Sequence, residues 1–198
     1  MNKIIFASNN NNKAEEIRKI LEGTYEILTL KEAGMDIDIP EPHDTLEMNA
    51  QEKSSTIYNL TGTACFAEDS GLEVEALNGE PGVFSARYAG IHGDDTKNIQ
   101  KLLSNMVGIE NRNARFRTVV SLMQNRENLF FEGVCEGTIA LEQRGQNGFG
   151  YDPVFIPLGF SKTFAECTQQ EKNEVSHRKK AISKMIEYML DQNNKQKD

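Results

Sequence analysis

The sequence predicts an α/β fold in a single domain. In the first half of the chain, short apolar runs typical of strands alternate with amphipathic segments typical of helices. The alternating stretch at 114–140 predicts a long antiparallel hairpin. The length of 198 residues suffices for one sizeable core, or for two lobes that share a sheet, but not for two independent domains.

The composition argues against two classes of protein. The formal net charge of -8 disfavours general binding to nucleic acid, because phosphate backbones select basic surfaces. No apolar run approaches the length of about 20 residues that a membrane helix needs. The first strand is expected from Lys3, which leaves no room for a signal peptide, and the three cysteines are widely spaced: Cys65, Cys135 and Cys167. We therefore expect a reduced, cytoplasmic chain with its cysteines in the core.

The first strand, at residues 3–8, leads through a polar turn into a helix. This helix ends at Gly23 and has its apolar residues on one face: Ala14, Ile17 and Leu21. A phosphate fits at such a helix start through the unpaired amides and the helix dipole, and Lys13 adds a full charge. Because asparagine tolerates positive φ, residues 9–12 are expected to act as glycines do in phosphate loops. The alternative is a plain Asn-capped helix with a solvated lysine.

A second strand at 25–30 precedes a loop rich in aspartate and proline, and then a helix from about Thr45 to Asn59. Lys53 lies on the apolar stripe of that helix, with Asn49 one turn before it. A lysine on a buried face needs a partner, and the candidate carboxylates are Glu41, Glu68 and Asp69. A structural ion pair and a role in a site both remain open.

Two adjacent carboxylates, Glu68 and Asp69, follow an apolar run and precede Ser70 and a glycine-rich segment. An acidic pair at the end of a buried strand is costly unless a positive charge lies against it. Mg²⁺, held by one or two carboxylates with water and phosphate, would supply that charge. The alternative is a polar strand end followed by a glycine turn.

The next segments are expected to be architectural. Asp94 and Asp95 are expected to cap a helix that runs to about Met106. The hairpin at 114–140 is expected to lie mostly in the core, although its outer parts could pair with another chain.

Two further segments carry candidate binding residues. The sequence GFGYDPVF, at 148–155, places aromatic rings between glycines, which suits stacking on a flat ligand or an aromatic loop anchored in the core. Residues 166–181 are expected to open one last helix, with Lys172, His177 and Arg178 mostly off its apolar stripe. Such a charge run is usually a solvated face. The polar tail from 191 to 198 is expected to fray.

Taken together, these segments resemble the inosine triphosphate pyrophosphatase family. The resemblance covers blocks from about residue 7 to 181 and is most specific in three motifs: DSGLEVEALNGEPGVFSARYAG, GFGYDP and EKNEVSHR. It implies an elongated mixed β-sheet with flanking helices that forms two lobes around a central cleft, in one domain spanning 1–198. It also implies a homodimer.

The resemblance implies two sets of site residues. The first set serves the triphosphate and the metal: Ser8, Asn10, Lys13 and Lys53 for substrate, Asp69 as metal ligand and base, Glu41 as a second metal ligand, and Ser70 as a substrate contact. The second set serves the purine: Phe149, Gly150, Tyr151, Asp152, His177 and Arg178. Lys172 is implied to lie near the substrate. The family usually has Thr-Gly-Asn where this chain has Ser8-Asn9-Asn10, and a glycine commonly follows the His-Arg pair where this chain has Lys179.

The implied reaction is the hydrolysis of non-canonical purine nucleoside triphosphates (ITP, dITP and XTP). Mg²⁺ assists attack of water on the α phosphorus, so that pyrophosphate leaves and a nucleoside monophosphate remains. The expected partner is a small-molecule nucleotide, with no nucleic acid and no membrane. Two other functions stay open: a non-catalytic nucleotide sensor on the same fold, and a phosphatase that releases orthophosphate.

Overall fold

The computed structural model describes residues 2–195 and contains one mixed six-stranded sheet. The strands are β1 (Asn2–Phe6), β2 (Tyr25–Thr29), β3 (Cys65–Val74), β4 (Asn113–Gln124), β5 (Glu127–Ile139) and β6 (Phe155–Pro157). Their order in the sheet is β2-β1-β3-β4-β5-β6. β1 is parallel to β2 and β3, whereas β5 and β6 are antiparallel. The predicted α/β fold with a mixed sheet is therefore confirmed.

Five α-helices accompany the sheet within the described residues: α1 (Asn11–Ile20), α2 (Leu46–Thr61), α3 (Asp95–Asn105), α4 (Gln169–Val175) and α5 (His177–Lys195). No helix in this part of the chain is long and apolar enough to cross a membrane. The hairpin is confirmed: β4 and β5 are joined by Asn125 and Arg126, which both have positive φ, as a tight two-residue turn requires.

The prediction of one last helix was wrong. Ser176 has φ -55° and ψ 128°, which is not helical, so α4 ends at Val175 and α5 begins at His177. Lys172 therefore lies in a different helix from His177 and Arg178. The expected fraying from residue 191 stays a prediction: α5 extends to Lys195, and residues 196–198 lie outside the described residues.

The chain divides into two compact units. The first comprises Met1–Asp69, Thr118–Gly133 and Arg178–Asp198. Its largest core has the stacked rings of Phe6 and Phe66, 5.0 Å apart, and apolar residues of α1 and α5, including Ile17 and Met185. Burial of these side chains is the main force that holds α1 and α5 in the unit.

The second unit comprises Ser70–Arg117 and Val134–His177. Its core is built around Phe116, Phe155 and Phe164, whose ring centroids lie 4.7 to 6.1 Å apart. The single-domain expectation stays a prediction, and it can be tested as one cooperative unfolding transition in calorimetry.

All three cysteines are buried and form no disulfide. Burial raises the pKa of the Cys65 thiol to about 12, so this thiol is inert as a nucleophile near neutral pH. Their expected role as small core residues is confirmed.

Candidate functional site

The loop between β1 and α1 is organised by its own polar side chains. Asn10 is the N-cap of α1, and its side-chain oxygen accepts the N–H of Lys13 at 3.0 Å. The Ser8 hydroxyl accepts the N–H of Asn10 at 3.1 Å. None of residues 9–12 has positive φ, so the expectation that they imitate glycines was wrong. Capping gives the loop its shape instead, because the Asn10 side chain replaces a hydrogen bond that the helix start lacks.

Asn9, the first departure from the family pattern, holds this loop to the segment that follows β2. Its side-chain oxygen accepts the N–H of Lys31 at 3.1 Å, and its amide nitrogen donates to the Ile37 carbonyl at 3.2 Å. A glycine could make neither bond. Asn9 therefore adds two hydrogen bonds that hold the loop to the segment after β2.

Glu68 is fully buried in a cluster of charges in the first unit. Arg178 donates to both of its carboxylate oxygens, from Nε at 2.8 Å and from Nη2 at 3.0 Å, and Lys13 Nζ lies 3.1 Å away. The third guanidinium nitrogen of Arg178 donates to Glu16. Burial alone would raise the pKa of Glu68, but the charges of Arg178 and Lys13 outweigh it and hold that pKa well below its usual range.

This cluster corrects two expectations. Arg178, Lys172 and His177 are all at least 94% buried, so the alternative of a solvated charged face was wrong. Lys13 is paired with Glu68 and its side chain is only 17% exposed, so it is not a solvated lysine. Glu68 is neutralised by protein side chains and needs no metal ion.

Asp69 lies in a second group of polar side chains in the same unit. The side-chain amide of Asn49 donates to Asp69 Oδ2 at 3.3 Å and is itself oriented by backbone atoms of His43. Lys53 Nζ lies 3.8 Å from Asp69 Oδ1 and 2.5 Å from Glu41 Oε1, and donates to the Glu68 carbonyl at 2.7 Å. Lys53 is thus in a buried ion-pair network, while its role toward substrate stays a prediction.

The pKa of Asp69 is raised. Burial is the largest cause, and the nearby charge of Glu41 acts in the same direction, whereas Lys53 and Lys13 lower it. The surroundings therefore lower the pKa of Glu68 and raise the pKa of its neighbour Asp69. Such divergence is typical of carboxylates with different roles in one site.

The acidic groups suit Mg²⁺ at Asp69 and Glu41. These carboxylates meet at the same lysine, and Mg²⁺ usually takes one or two carboxylates and completes its shell with water and phosphate. Among residues 2–195 no group of three or more His, Cys, Asp or Glu side chains could hold a metal by itself. Asp69 and Glu41 could contribute oxygen ligands to a metal ion, and water and phosphate would have to complete its shell.

The aromatic loop lies in the second unit and is held by Asp152. One oxygen of this buried carboxylate accepts the N–H of Phe149 at 3.0 Å and the ammonium of Lys172 at 2.6 Å. Tyr151 is buried in the core of that unit and its hydroxyl donates to the Ser85 carbonyl at 2.9 Å. Phe149 and Gly150 are half-buried. The expectation of an aromatic loop anchored in the core is confirmed for Tyr151, whereas stacking of Phe149 on a flat ligand stays a prediction.

Lys172, His177 and Ser70 complete the predicted residues of the second unit. Lys172 Nζ lies 5.3 Å from the centre of the Phe149 ring. The His177 imidazole is stacked on the Phe116 ring, with centroids 4.7 Å apart and planes 10° from parallel. Ser70 is half-buried in β3, directly after Asp69. The structure therefore brings Phe149, Asp152 and Lys172 together, and it places Arg178 with Glu68 in the first unit.

Sequence reasoning missed three residues. Glu16 pairs with Arg178, and the available signal was its position three residues after Lys13 on α1. Asp95 accepts the N–H of Gly150. Gly148 has φ +78°, and a Cβ there would overlap the Asp152 carboxylate. No local pattern identified the last two, because their contacts are made with another segment or depend on the fold of the loop.

The buried Glu68 carboxylate predicts a specific acid sensitivity. Because its folded pKa is depressed, it adds stability that is fully present above its unfolded value of about 4.3 and declines as pH falls below that value. We expect the difference in unfolding free energy between the native chain and Glu68→Gln to be large at pH 7 and smaller at pH 3. Urea unfolding at both pH values measures it, and a difference independent of pH would contradict the assignment.

Comparisons with known proteins agree in fold and in sequence. The family model described as Ham1 family matches residues 4–188. The chain is 50% identical over 191 residues to a protein named dITP/XTP pyrophosphatase from Porphyromonas gingivalis, covering 96% of this chain and 98% of the relative. It is 46% identical to a protein of the same name from Flavobacterium psychrophilum, covering 94% and 98%. The solved Ham1 protein of Staphylococcus aureus is 38% identical, with a TM-score of 0.87 over 96% of this chain and 99% of that one.

Proposed function

We propose, because this chain belongs to the Ham1 family, that it hydrolyses non-canonical purine nucleoside triphosphates to nucleoside monophosphate and pyrophosphate. Relatives that match over nearly the full length are named dITP/XTP pyrophosphatase, which supports ITP, dITP and XTP as the substrate class. The observation that carries the proposal is the buried Asp69, which is held by Asn49 and faces the Glu41–Lys53 pair. Together, Asp69, Glu41 and Lys53 place a proposed base, a proposed metal position and a cation in one cluster.

In this proposal the first unit handles the triphosphate. Ser8, Asn10 and Lys13 receive it at the start of α1, where backbone amides and a lysine favour an anion. Lys53 adds a second cation. Asp69 and Glu41 would hold Mg²⁺, which withdraws charge from the phosphates when bound.

Asp69 is also the proposed base. Burial raises the pKa of this carboxyl in the chain alone, and a bound Mg²⁺ would lower that pKa. Asn49 fixes the orientation of the Asp69 carboxylate, so that it can accept a proton from water. Water activated in this way attacks the α phosphorus and pyrophosphate leaves. Phosphoryl transfer depends on positioning and charge neutralisation, so no covalent nucleophile is required.

We assign the purine to residues of the aromatic loop and the α4–α5 junction. Phe149 stacks on the ring, and Gly150 and His177 contribute contacts around it. Lys172 lies near the substrate, and Ser70, directly after Asp69, makes a further substrate contact. Tyr151 and Asp152 act mainly by holding the loop, as their buried hydrogen bonds indicate. In this proposal Arg178, whose guanidinium is held by Glu68 and Glu16, reads the 6-position. A 6-keto purine offers an acceptor there, whereas adenine offers an amino group that a guanidinium cannot accept from.

The products released from ITP test the proposal. We expect equimolar pyrophosphate and inosine monophosphate in the presence of Mg²⁺, and loss of turnover when the metal is chelated. Release of orthophosphate would identify a phosphatase instead. Binding of ITP without any product would identify a nucleotide sensor.

Lys13 is expected to affect all nucleotides alike. Lys13→Ala removes a charge that faces the triphosphate in this proposal, so kcat/KM should fall by a similar factor for ITP, XTP and ATP. Lys19→Ala, an exposed lysine of the same helix, is the matched control and should change little. A loss confined to one base would place Lys13 elsewhere in the site.

We further propose a cytoplasmic homodimer. The three cysteines form no disulfide, as is usual in a reducing compartment. On β5, Phe130 is 46% exposed, and a large apolar side chain at such a position suits a contact with a second chain. Light scattering should give twice the 22.3 kDa chain mass, and Phe130→Asp should shift it toward the monomer. A native monomer at micromolar concentration would contradict the proposal.

A further inference from the structure

Two adjacent aspartates begin α3, and only one of them is accounted for by helix capping. Asp94 is the N-cap: its carboxylate accepts the N–H of Lys97 at 3.0 Å and pairs with the Lys97 ammonium at 2.9 Å. Asp95 instead accepts the N–H of Gly150 at 2.7 Å, from a segment 55 residues later. The sequence pattern predicted a capping role for both. The contact of Asp95 is tertiary.

The hydrogen bond from the Gly150 N–H to Asp95 is the second of two that hold the backbone on either side of Phe149. The N–H of Phe149 donates to Asp152, and the next N–H, that of Gly150, donates to Asp95. These two amides flank the Cα of Phe149, so fixing both peptide planes fixes its φ and ψ. Because the direction of the Cα–Cβ bond follows from the backbone, the two carboxylates together fix the direction in which the Phe149 side chain leaves the backbone.

The hydrogen bond to Asp95 stabilises the backbone at Gly150, which is an intrinsically flexible position of this segment. Gly150 has φ +60° in a stretch with glycines on both sides of Phe149, and glycine has a larger choice of backbone conformations than any other residue. Tyr151 fixes the far side of the loop through its hydrogen bond to Ser85. Without the Asp95 acceptor, the peptide between Phe149 and Gly150 would be held only through the Phe149 carbonyl, which accepts the N–H of Asp152 at 3.3 Å.

We propose that Asp95 is a positioning residue for purine recognition, acting through the Gly150 amide to hold the Phe149 ring where the base stacks. This inference rests on the proposed function, which assigns Phe149 to the base. Asp95 itself touches neither base nor phosphate in this scheme. Its loss therefore weakens ligands that carry a purine and leaves the binding of phosphate chains unchanged.

The experiment compares two probes in four proteins. Inosine monophosphate and inorganic tripolyphosphate are titrated by calorimetry into the native chain, Asp95→Ala, Asp95→Asn and the matched control Asp94→Ala. We expect Asp95→Ala to weaken inosine monophosphate by about 5- to 10-fold, the effect of one lost hydrogen bond, with tripolyphosphate unchanged. Asp95→Asn keeps an acceptor oxygen and should retain most of the affinity. Asp94→Ala should lower thermal stability without changing either affinity.

Amide hydrogen exchange reports the hydrogen bond from Gly150 to Asp95 directly. In Asp95→Ala the Gly150 amide should exchange faster, while the Phe149 amide, which is bonded to Asp152, should change less. This readout does not depend on activity. If Asp95→Ala does not fold, exchange is measured in Asp95→Asn, in which the asparagine should keep the Gly150 amide protected.

Distinct results overturn distinct claims. If the native chain binds both probes but Asp95→Ala weakens neither, or weakens both equally, the role of Asp95 is wrong and the proposed function stands. Unchanged exchange at Gly150 also overturns it. If the native chain binds neither probe and releases no pyrophosphate from ITP, the proposed function falls and the role of Asp95 falls with it.

Discussion

Asp69→Asn is expected to lower kcat by about 100-fold or more, the range that general-base catalysis alone supplies. The change removes a proton acceptor and one negative charge from the proposed metal position. It preserves the shape of the side chain and leaves Asn49 and Lys53 in place. Turnover of ITP at saturating Mg²⁺ measures the effect.

Stability separates this loss from misfolding. Burial raises the pKa of Asp69, which means that the folded state is unfavourable for the charged carboxylate, so a neutral asparagine should not lower the melting temperature appreciably. Asp38→Asn, an exposed aspartate, is the matched control and should keep full activity. Full activity of Asp69→Asn would exclude Asp69 as the base.

Arg178→Ala is expected to collapse the preference for inosine over adenosine triphosphate. A pocket that donates hydrogen bonds to a 6-keto oxygen leaves donors unpaired opposite an adenine amino group, and discrimination on the order of 10⁴-fold is reachable in that way. Losing a charge-assisted contact of about 1–3 kcal/mol should reduce the ratio of the two kcat/KM values by about 5- to 150-fold. Steady-state kinetics with both nucleotides measures the ratio. Equal slowing of both would assign Arg178 to the phosphates or to the structure of the helix start.

The same substitution has a structural effect that needs its own control. Removing Arg178 leaves Glu68 and Glu16 without their shared guanidinium, and breaking a buried pair costs about 3–5 kcal/mol. Urea unfolding should show this loss. The double variant Arg178→Met with Glu68→Gln removes the charge at both positions and should recover part of the stability, because position 68 no longer carries the buried charge that Arg178 helped to neutralise. Selectivity should stay lost, which separates base recognition from folding.

Much of the fold could be predicted from the local pattern of residues. The hairpin was evident from alternation around a polar turn, and the starts of α1 and α3 from Asn10 and Asp94, because turns and helix caps depend on residues close together in the chain. The candidate site residues were predicted from the resemblance of three sequence motifs to a known family, and their roles stay predictions. The break at Ser176 escaped detection because the apolar stripe continues across it.

The tertiary structure decided what each of these groups does. Glu68 and Asp69 are identical in charge and adjacent in sequence, yet consecutive side chains of a strand point to opposite faces. Arg178, 110 residues away, meets Glu68 and lowers its pKa, while Asp69 is buried beside Glu41 and its pKa rises. Asp94 and Asp95 also differ in their contacts: Asp94 accepts a hydrogen bond from its own helix, and Asp95 accepts one from Gly150. A sequence determines which charges a chain carries, but burial and distant partners set their energies, because desolvation and Coulomb interactions depend on distance in space.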